Sequence, residues 1–185
     1  GMAEEKIRVL HYPHPFNFSA INNMAAREAR GEYLVLLNND TAIISETWLD
    51  ELLNHALRPE VGITGAKLLY PDGKIQHAGV VLGLRGPADH PFIGESMNAS
   101  GYMQRLEIDQ NYSAVTAACL MIRKSIYEAV GGLDEQRFKV SYNDVDLCLK
   151  VRETGHLIVW TPHSVVMHEG SVSQKRIEPK AAEAK

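Results

Sequence analysis

Three features of this sequence predict an α/β fold, one sheet flanked by helices. Apolar runs of strand length alternate with segments at helical spacing through the first half of the chain. Tyr33-Leu34-Val35-Leu36-Leu37 is apolar without alternation, the pattern of a strand covered on both faces. Glycine and proline mark the boundaries, as at Gly31, Pro59 and Gly155. In such sheets ligands sit at the carboxyl ends of strands, where Asp40 falls.

The elements follow in order. Lys6 to Tyr12 reads as a strand with imperfect alternation, ended by Pro13 and Pro15. Asn17 or Ser19 caps a helix from Ala20 to Arg30, with Ile21, Met24, Ala25 and Ala29 on its apolar face and Gly31 as its stop. After the Tyr33 to Leu37 strand, Trp48, Leu49, Leu52, Leu53 and Ala56 recur at helical spacing. Val61 to Leu69 and Ile75 to Leu84 are strand-like, joined by the turn Tyr70-Pro71-Asp72-Gly73. Residues 85 to 112 show no period and read as a long loop. Val115 to Ile122 is another strand, Ser125 to Val130 a short helix stopped by Gly131-Gly132, and Asp144 to Thr154 a longer helix. Leu157 to Trp160 and Ser164 to Met167 are short strands on either side of Pro162, and the tail is charged and frayed.

The bulk numbers narrow the class. A chain of 185 residues with 45% hydrophobic and 23% charged residues is one globular domain with a real core. The net charge of −4 and the lack of a basic, aromatic-laced stripe argue against a nucleic-acid partner. Cys119 and Cys148 sit in apolar segments, which fits reduced thiols and a cytoplasmic protein. No apolar run approaches the ~20 residues of a membrane helix.

Two acidic clusters and a late histidine carry the chemistry. Asn38-Asn39-Asp40 closes the strand at Leu37, where a carboxylate suits Mg2+ or Mn2+ shared with substrate phosphates; the same residues also make an ordinary turn. Asn143-Asp144-Val145-Asp146 opens a helix. Asp146 there matches common first-turn punctuation, while Asp144 is a fixed carboxylate of the kind a general base requires. His168 follows an apolar strand, where a structural role is more usual than ligation. His163 and His168 do not have the spacing of a helical zinc pair, and His77 reads as a sheet residue. Phosphate-loop, dinucleotide-fingerprint and nucleophile-elbow motifs are absent.

These pieces in this order resemble the family 2 glycosyltransferases of GT-A fold, most nearly the rhamnosyltransferase-like, polysaccharide-assembly branch. The resemblance rests on Asn17-Phe18-Ser19, Gly31 through Thr41, Trp48-Leu49, Gly65 through Gly73, His77-Ala78-Gly79 and Thr116-Ala117-Ala118-Cys119. It continues through Gly131 to Glu135, Asn143 to Leu147, Thr161-Pro162 and His168-Glu169-Gly170. It implies a nucleotide-sugar donor, a saccharide or lipid-linked acceptor, Mg2+ or Mn2+, and inversion at the anomeric carbon. Asp40 and His168 match the metal ligands, with Asn38 in place of the motif's first Asp. Asn38 and Asn39 fall at the donor. Asp144 matches the catalytic base, with Asn143 in place of Glu, and Asn143, Asp146 and Asp134 fall toward the acceptor. Residues 85 to 112 would face the acceptor, and a lipid-linked acceptor would bring this cytoplasmic protein to the cytoplasmic face of a membrane.

The family's domain begins with two further βα units that grip the base and ribose, roughly 60 residues or more. This chain opens at what looks like the third strand. The expectation is therefore a GT-A-like mixed sheet flanked by helices, N-terminally truncated: a partial domain over 6–173 and a charged, disordered tail over 174–185. Strands lost from a sheet bare an edge, so a homo-oligomer formed through that edge is expected. A non-catalytic remnant acting as a binding module is the alternative. A phosphohydrolase using Asp40 and Asp144 is a third reading.

Overall fold

The computed structural model describes residues 7–170. Lys6, residues 171–173 and the expected tail at 174–185 lie outside them. The elements are α1 (Phe18–Glu28), β1 (Tyr33–Leu37), β2 (Thr41–Ile43), α2 (Trp48–Ala56), β3 (Val61–Leu69), β4 (Ile75–His77), β5 (Val81–Leu82) and β6 (Ala88–Asp89). They continue with β7 (Gln110–Asn111), β8 (Cys119–Arg123), α3 (Lys124–Ala129), α4 (Asn143–Glu153) and β9 (Leu157–His168).

One mixed sheet organises the chain, in the order β1-β8-β3-β9-β2, with β4 beside β3 and β7 beside β9. β3 and β9 are parallel, and the other pairs are antiparallel. β3 is buried along its whole length because both faces are covered. On one face, Leu52 and Ala56 of α2 pack against Ala66, Leu68, Met121 and Val166. On the other, Ile126 and Tyr127 of α3 and Leu147, Cys148 and Val151 of α4 join Ile63, Leu120, Ile122 and Trp160. Glycines in β3 permit this close layering. A Cβ on Gly62 would stand 2.3 Å from Val151 Cγ1, and one on Gly65 2.5 Å from Val115 Cβ.

Several expected boundaries shift for physical reasons. Residues 7–13 form no strand: they have no ladder partner, and Ile7 and Val9 are 75% and 92% exposed. Asn17 is the cap of α1, its side chain accepting from Ala20 N, so the helix starts at Phe18. Its buried residues are Ser19, Ala20 and Asn23, while Ala25 is exposed. Asn23 is drawn inward by polar partners. Its Nδ2 donates to Leu133 O and Glu135 Oε1, both at 2.8 Å, and its Oδ1 accepts from Leu133 N and Tyr127.

β4 ends at His77 because Gly79 turns the chain with φ +88°, and Val81–Leu82 joins a separate hairpin with β6. The two strands expected around Pro162 are one. The register jumps from Ala66↔Thr161 to Lys67↔Val165, so a bulge absorbs the residue that cannot donate to the ladder. The expected loop at 85–112 holds β6, a 3-10 turn at Tyr102–Gln104 and β7, and buried Leu106 anchors it.

β1, β3 and β9 run the same way, with antiparallel β8 between β1 and β3. Leu37, Leu69 and His168 therefore end on one rim, where β8 begins at Cys119. Every candidate residue that comes together does so at this rim.

Candidate active site

The rim brings Asp40 to His168. Asn38 N donates to Ala118 O at 3.0 Å, and the chain then crosses the rim to β2, where Thr41 pairs with His168. His168 Nε2 lies 3.1 Å from Asp40 Oδ1 and 3.2 Å from Asn38 Nδ2. The other ring nitrogen, Nδ1, lies 2.6 Å from Gln76 Oε1, while Gln76 Nε2 donates to His168 O at 3.2 Å. That second bond fixes the glutamine amide. Oε1 thus accepts from Nδ1–H, which leaves Nε2 as the ring nitrogen that faces the Asp40 carboxylate and Asn38 Nδ2.

Two acceptors at 3.1 Å fit a shared divalent cation. Adjacent ligands on an octahedral ion with bonds of about 2.1 Å stand about 3.0 Å apart. Carboxylate oxygen and imidazole nitrogen both suit Mn2+, and oxygen suits Mg2+. Among the described residues no group of three His, Cys, Asp or Glu side chains converges. Such ions routinely leave their other positions to water and substrate phosphates, so the pair fits.

Asp144 approaches the same space from the first turn of α4. Its Oδ2 accepts from Ala117 N at 3.2 Å and its Oδ1 from Val145 N at 2.9 Å, which fixes the carboxylate. Cys148 Sγ, one turn on, accepts from Val115 N at 3.5 Å and donates to Val115 O at 3.7 Å, so two residues of α4 are bonded to the segment entering β8. Asn143 is buried and donates to Val140 O at 3.0 Å.

A cavity of about 620 Å³ joins these groups. Asn38, Asn39, Asp40, Asn143, Asp144 and His168 all line it, with Phe16, Phe18 and Ile21 as an apolar wall. Asp146 and Asp134 stand outside. Asp146 Oδ2 pairs with Lys150 Nζ at 3.0 Å. Asp134 Oδ1 accepts from Arg137 N and Gln136 N, both at 2.9 Å, and those bonds hold its carboxyl below the ordinary range. Gln76, His77 and His90 are among the lining residues that the sequence reading did not assign to the site. The available signal was a polar pair, Gln76-His77, inside the otherwise apolar run from Ile75 to Leu84.

The chain matches the family described as "Glycosyltransferase like family 2" over residues 2–184. It belongs to that family. Protein y4gI of Sinorhizobium fredii is 50% identical over 93% of this chain and 19% of its own length. The O-antigen biosynthesis protein RfbC of Myxococcus xanthus is 44% identical over 90% of this chain and 13% of its own. An N-acetylglucosaminyl-diphospho-decaprenol L-rhamnosyltransferase of Mycobacterium tuberculosis is 31% identical over 69% of this chain and 44% of its own. The chain thus spans less than half the length of each. Among solved structures, GalNAc-T7 with UDP, GalNAc and Mn2+ superposes with a TM-score of 0.67 at 14% identity, covering 86% of this chain and 32% of that one. That likeness establishes the GT-A fold expected from the sequence.

Proposed function

We propose that this chain carries the metal-binding and base-bearing part of a glycosyltransferase that moves a sugar from a nucleoside-diphosphate donor to a saccharide or lipid-linked acceptor. The observation that carries the proposal is the opposition, across one cavity, of the Asp40–His168 pair and the fixed carboxylate of Asp144. RfbC is named for O-antigen biosynthesis, the mycobacterial relative for a lipid-linked sugar acceptor, and GalNAc-T7 was solved with UDP and Mn2+. Each of these supports the substrate classes proposed.

Asp144 takes the proton of the acceptor hydroxyl as that oxygen forms its bond to the anomeric carbon. The bond from that carbon to the diphosphate breaks on the opposite side, so configuration inverts and negative charge collects on the departing phosphate. Asp40 and His168 would hold Mg2+ or Mn2+, which supplies neutralisation of that charge. Asn38 and Asn39, beside the pair, present amides to the donor. A lipid-linked acceptor would put the reaction at the cytoplasmic face of a membrane. No helix among the described residues is long and apolar enough to cross one.

Calorimetric titration with UDP, dTDP and GDP, with and without Mn2+, tests the reading. Metal-dependent binding of one of them, lost in Asp40→Ala, is expected. Binding that ignores both the metal and Asp40 would refute it. A second copy also has a place to dock: β1 is an edge strand with Leu37 exposed, so edge pairing into a homo-oligomer is expected in sedimentation.

A further inference from the structure

His90 is held in the cavity wall by its own loop. Arg85 Nε donates to Asp89 Oδ2 at 2.8 Å, Arg85 Nη2 donates to His90 O at 2.9 Å, and Asp89 Oδ1 accepts from His90 N at 2.7 Å. The ring meets that of fully buried His77 edge to face, with 2.8 Å between the two Nδ1 atoms.

The proton positions follow from one backbone group. Thr116 N–H donates to His77 Nε2 at 3.4 Å, and a backbone amide can only donate. His77 Nε2 is therefore an acceptor, and the His77 proton sits on Nδ1. That proton is donated to His90 Nδ1, which leaves the His90 proton on Nε2. Among the described residues this Nε2–H has no hydrogen-bond partner, and the ring lines the cavity.

Burial holds both rings below the ordinary histidine range, so both are neutral near pH 7. Two consecutive backbone amides tie them to the base: Thr116 N donates to His77 Nε2 and Ala117 N to Asp144 Oδ2. His90, bonded to His77, thus offers a neutral donor to the cavity that Asp144 also lines.

We infer that His90 is an acceptor-binding residue, its Nε2–H donating to a sugar oxygen beside the hydroxyl that Asp144 deprotonates. A neutral N–H orients such an oxygen without pairing with the carboxylate that must take the proton. The inference rests on the transferase reading above and adds to it a contact that selects the acceptor.

Long-range 1H–15N spectra of the histidine-labelled chain are expected to show His77 as the Nδ1–H and His90 as the Nε2–H tautomer. Methyl glycosides of glucose, galactose, N-acetylglucosamine and rhamnose, titrated at neutral pH, are then the probes. At least one should move His90 Nε2 together with the Ala117 amide. His90→Phe should weaken that glycoside about fivefold, the worth of one neutral hydrogen bond, and leave UDP–Mn2+ binding unchanged. His90→Gln, which sets an amide near the Nε2 position, should recover most of the loss. The inference is overturned by the opposite tautomer at His90, by a panel in which no glycoside moves Nε2, or by equal glycoside affinity in His90→Phe. Glycoside binding through His90 in a chain that takes no nucleoside diphosphate would instead sink the transferase reading and leave the sugar site standing.

Discussion

His168 Nε2 stands 3.1 Å from Asp40 Oδ1 because Thr41 pairs with His168 across the β2–β9 ladder. The pair is therefore set by strand register, and a one-residue slip would turn His168 to the other face. Ring orientation is set separately, by Gln76 Oε1 on Nδ1. Gln76→Leu should lower Mn2+ affinity about 10- to 100-fold, the usual weight of a partner that orients a ligating histidine. Mn2+ titration followed by electron paramagnetic resonance reads this directly. Unchanged affinity would mean the metal does not use His168 Nε2.

Asp144→Asn separates the base from the scaffold. The Asn Oδ1 can still accept from Ala117 N, which Asp144 Oδ2 does now at 3.2 Å, so the fold should survive. Turnover should fall about 10²- to 10⁴-fold, the typical contribution of a positioned general base. Nucleotide affinity should stay within roughly twofold, since an unrealised proton transfer leaves ground-state binding alone. Product formation with any nucleotide sugar, followed by diphosphate release, measures it. Full activity in the variant would remove Asp144 from the mechanism.

The sequence showed the sheet and its rim better than it showed the site's supports. β1, α2 and β3 were legible because each is an apolar run or a helical period set off by glycine, proline or a polar turn. Asp40, Asp144 and His168 were legible as polar residues placed at element ends. β2 and β7, three and two residues long, are too short to carry a period, and only their neighbours make them strands. Gln76 and His90 were hidden for another reason. Each matters through a partner far along the chain, His168 or His77, and no local pattern reports such a pairing. Asn23 was missed likewise: a polar residue on a helix face is drawn inward only because Leu133 and Tyr127 arrive to satisfy it.

Acid should unfold this chain in two stages, the first belonging to histidine. Burial holds His77 well below its ordinary value of 6.5, with His90 and His168 adding to the shift. Burial also lowers His90, against the opposing pull of Asp144 and Asp89. The unfolded chain therefore takes up protons first as pH falls through 6.5, while the folded chain does not. Stability contributed by these rings is fully present above that pH and is lost progressively below it. Asp134 and Asp89, with lowered carboxyl values, act only under more acidic conditions. The urea midpoint should be level from pH 8 to 7 and decline between pH 6.5 and 5, and His77→Gln should flatten that decline. A midpoint unaffected by pH over this window would show that His77 protonates freely in the folded state.

Two glycines distinguish strain from crowding. Gly79 takes φ +88°, and a Cβ there would stand 2.4 Å from the Tyr112 ring. That ring has nowhere to go. It meets fully buried Trp160 edge on, at 6.3 Å between centroids, and the Arg105 guanidinium lies over it at 5.5 Å. Gly83 takes a similar φ of +76°, yet a Cβ there would meet nothing within 4 Å. Gly83→Ala should therefore cost only the left-handed backbone penalty, about 1–2 kcal/mol. Gly79→Ala should cost that plus the overpacking of the Tyr112–Trp160 pair, about 1–3 kcal/mol more. Urea denaturation followed by tryptophan fluorescence compares the two variants in one experiment. Equal losses would mean that Tyr112 can move aside, and the hold on His77-Ala78-Gly79 would then come from backbone conformation alone.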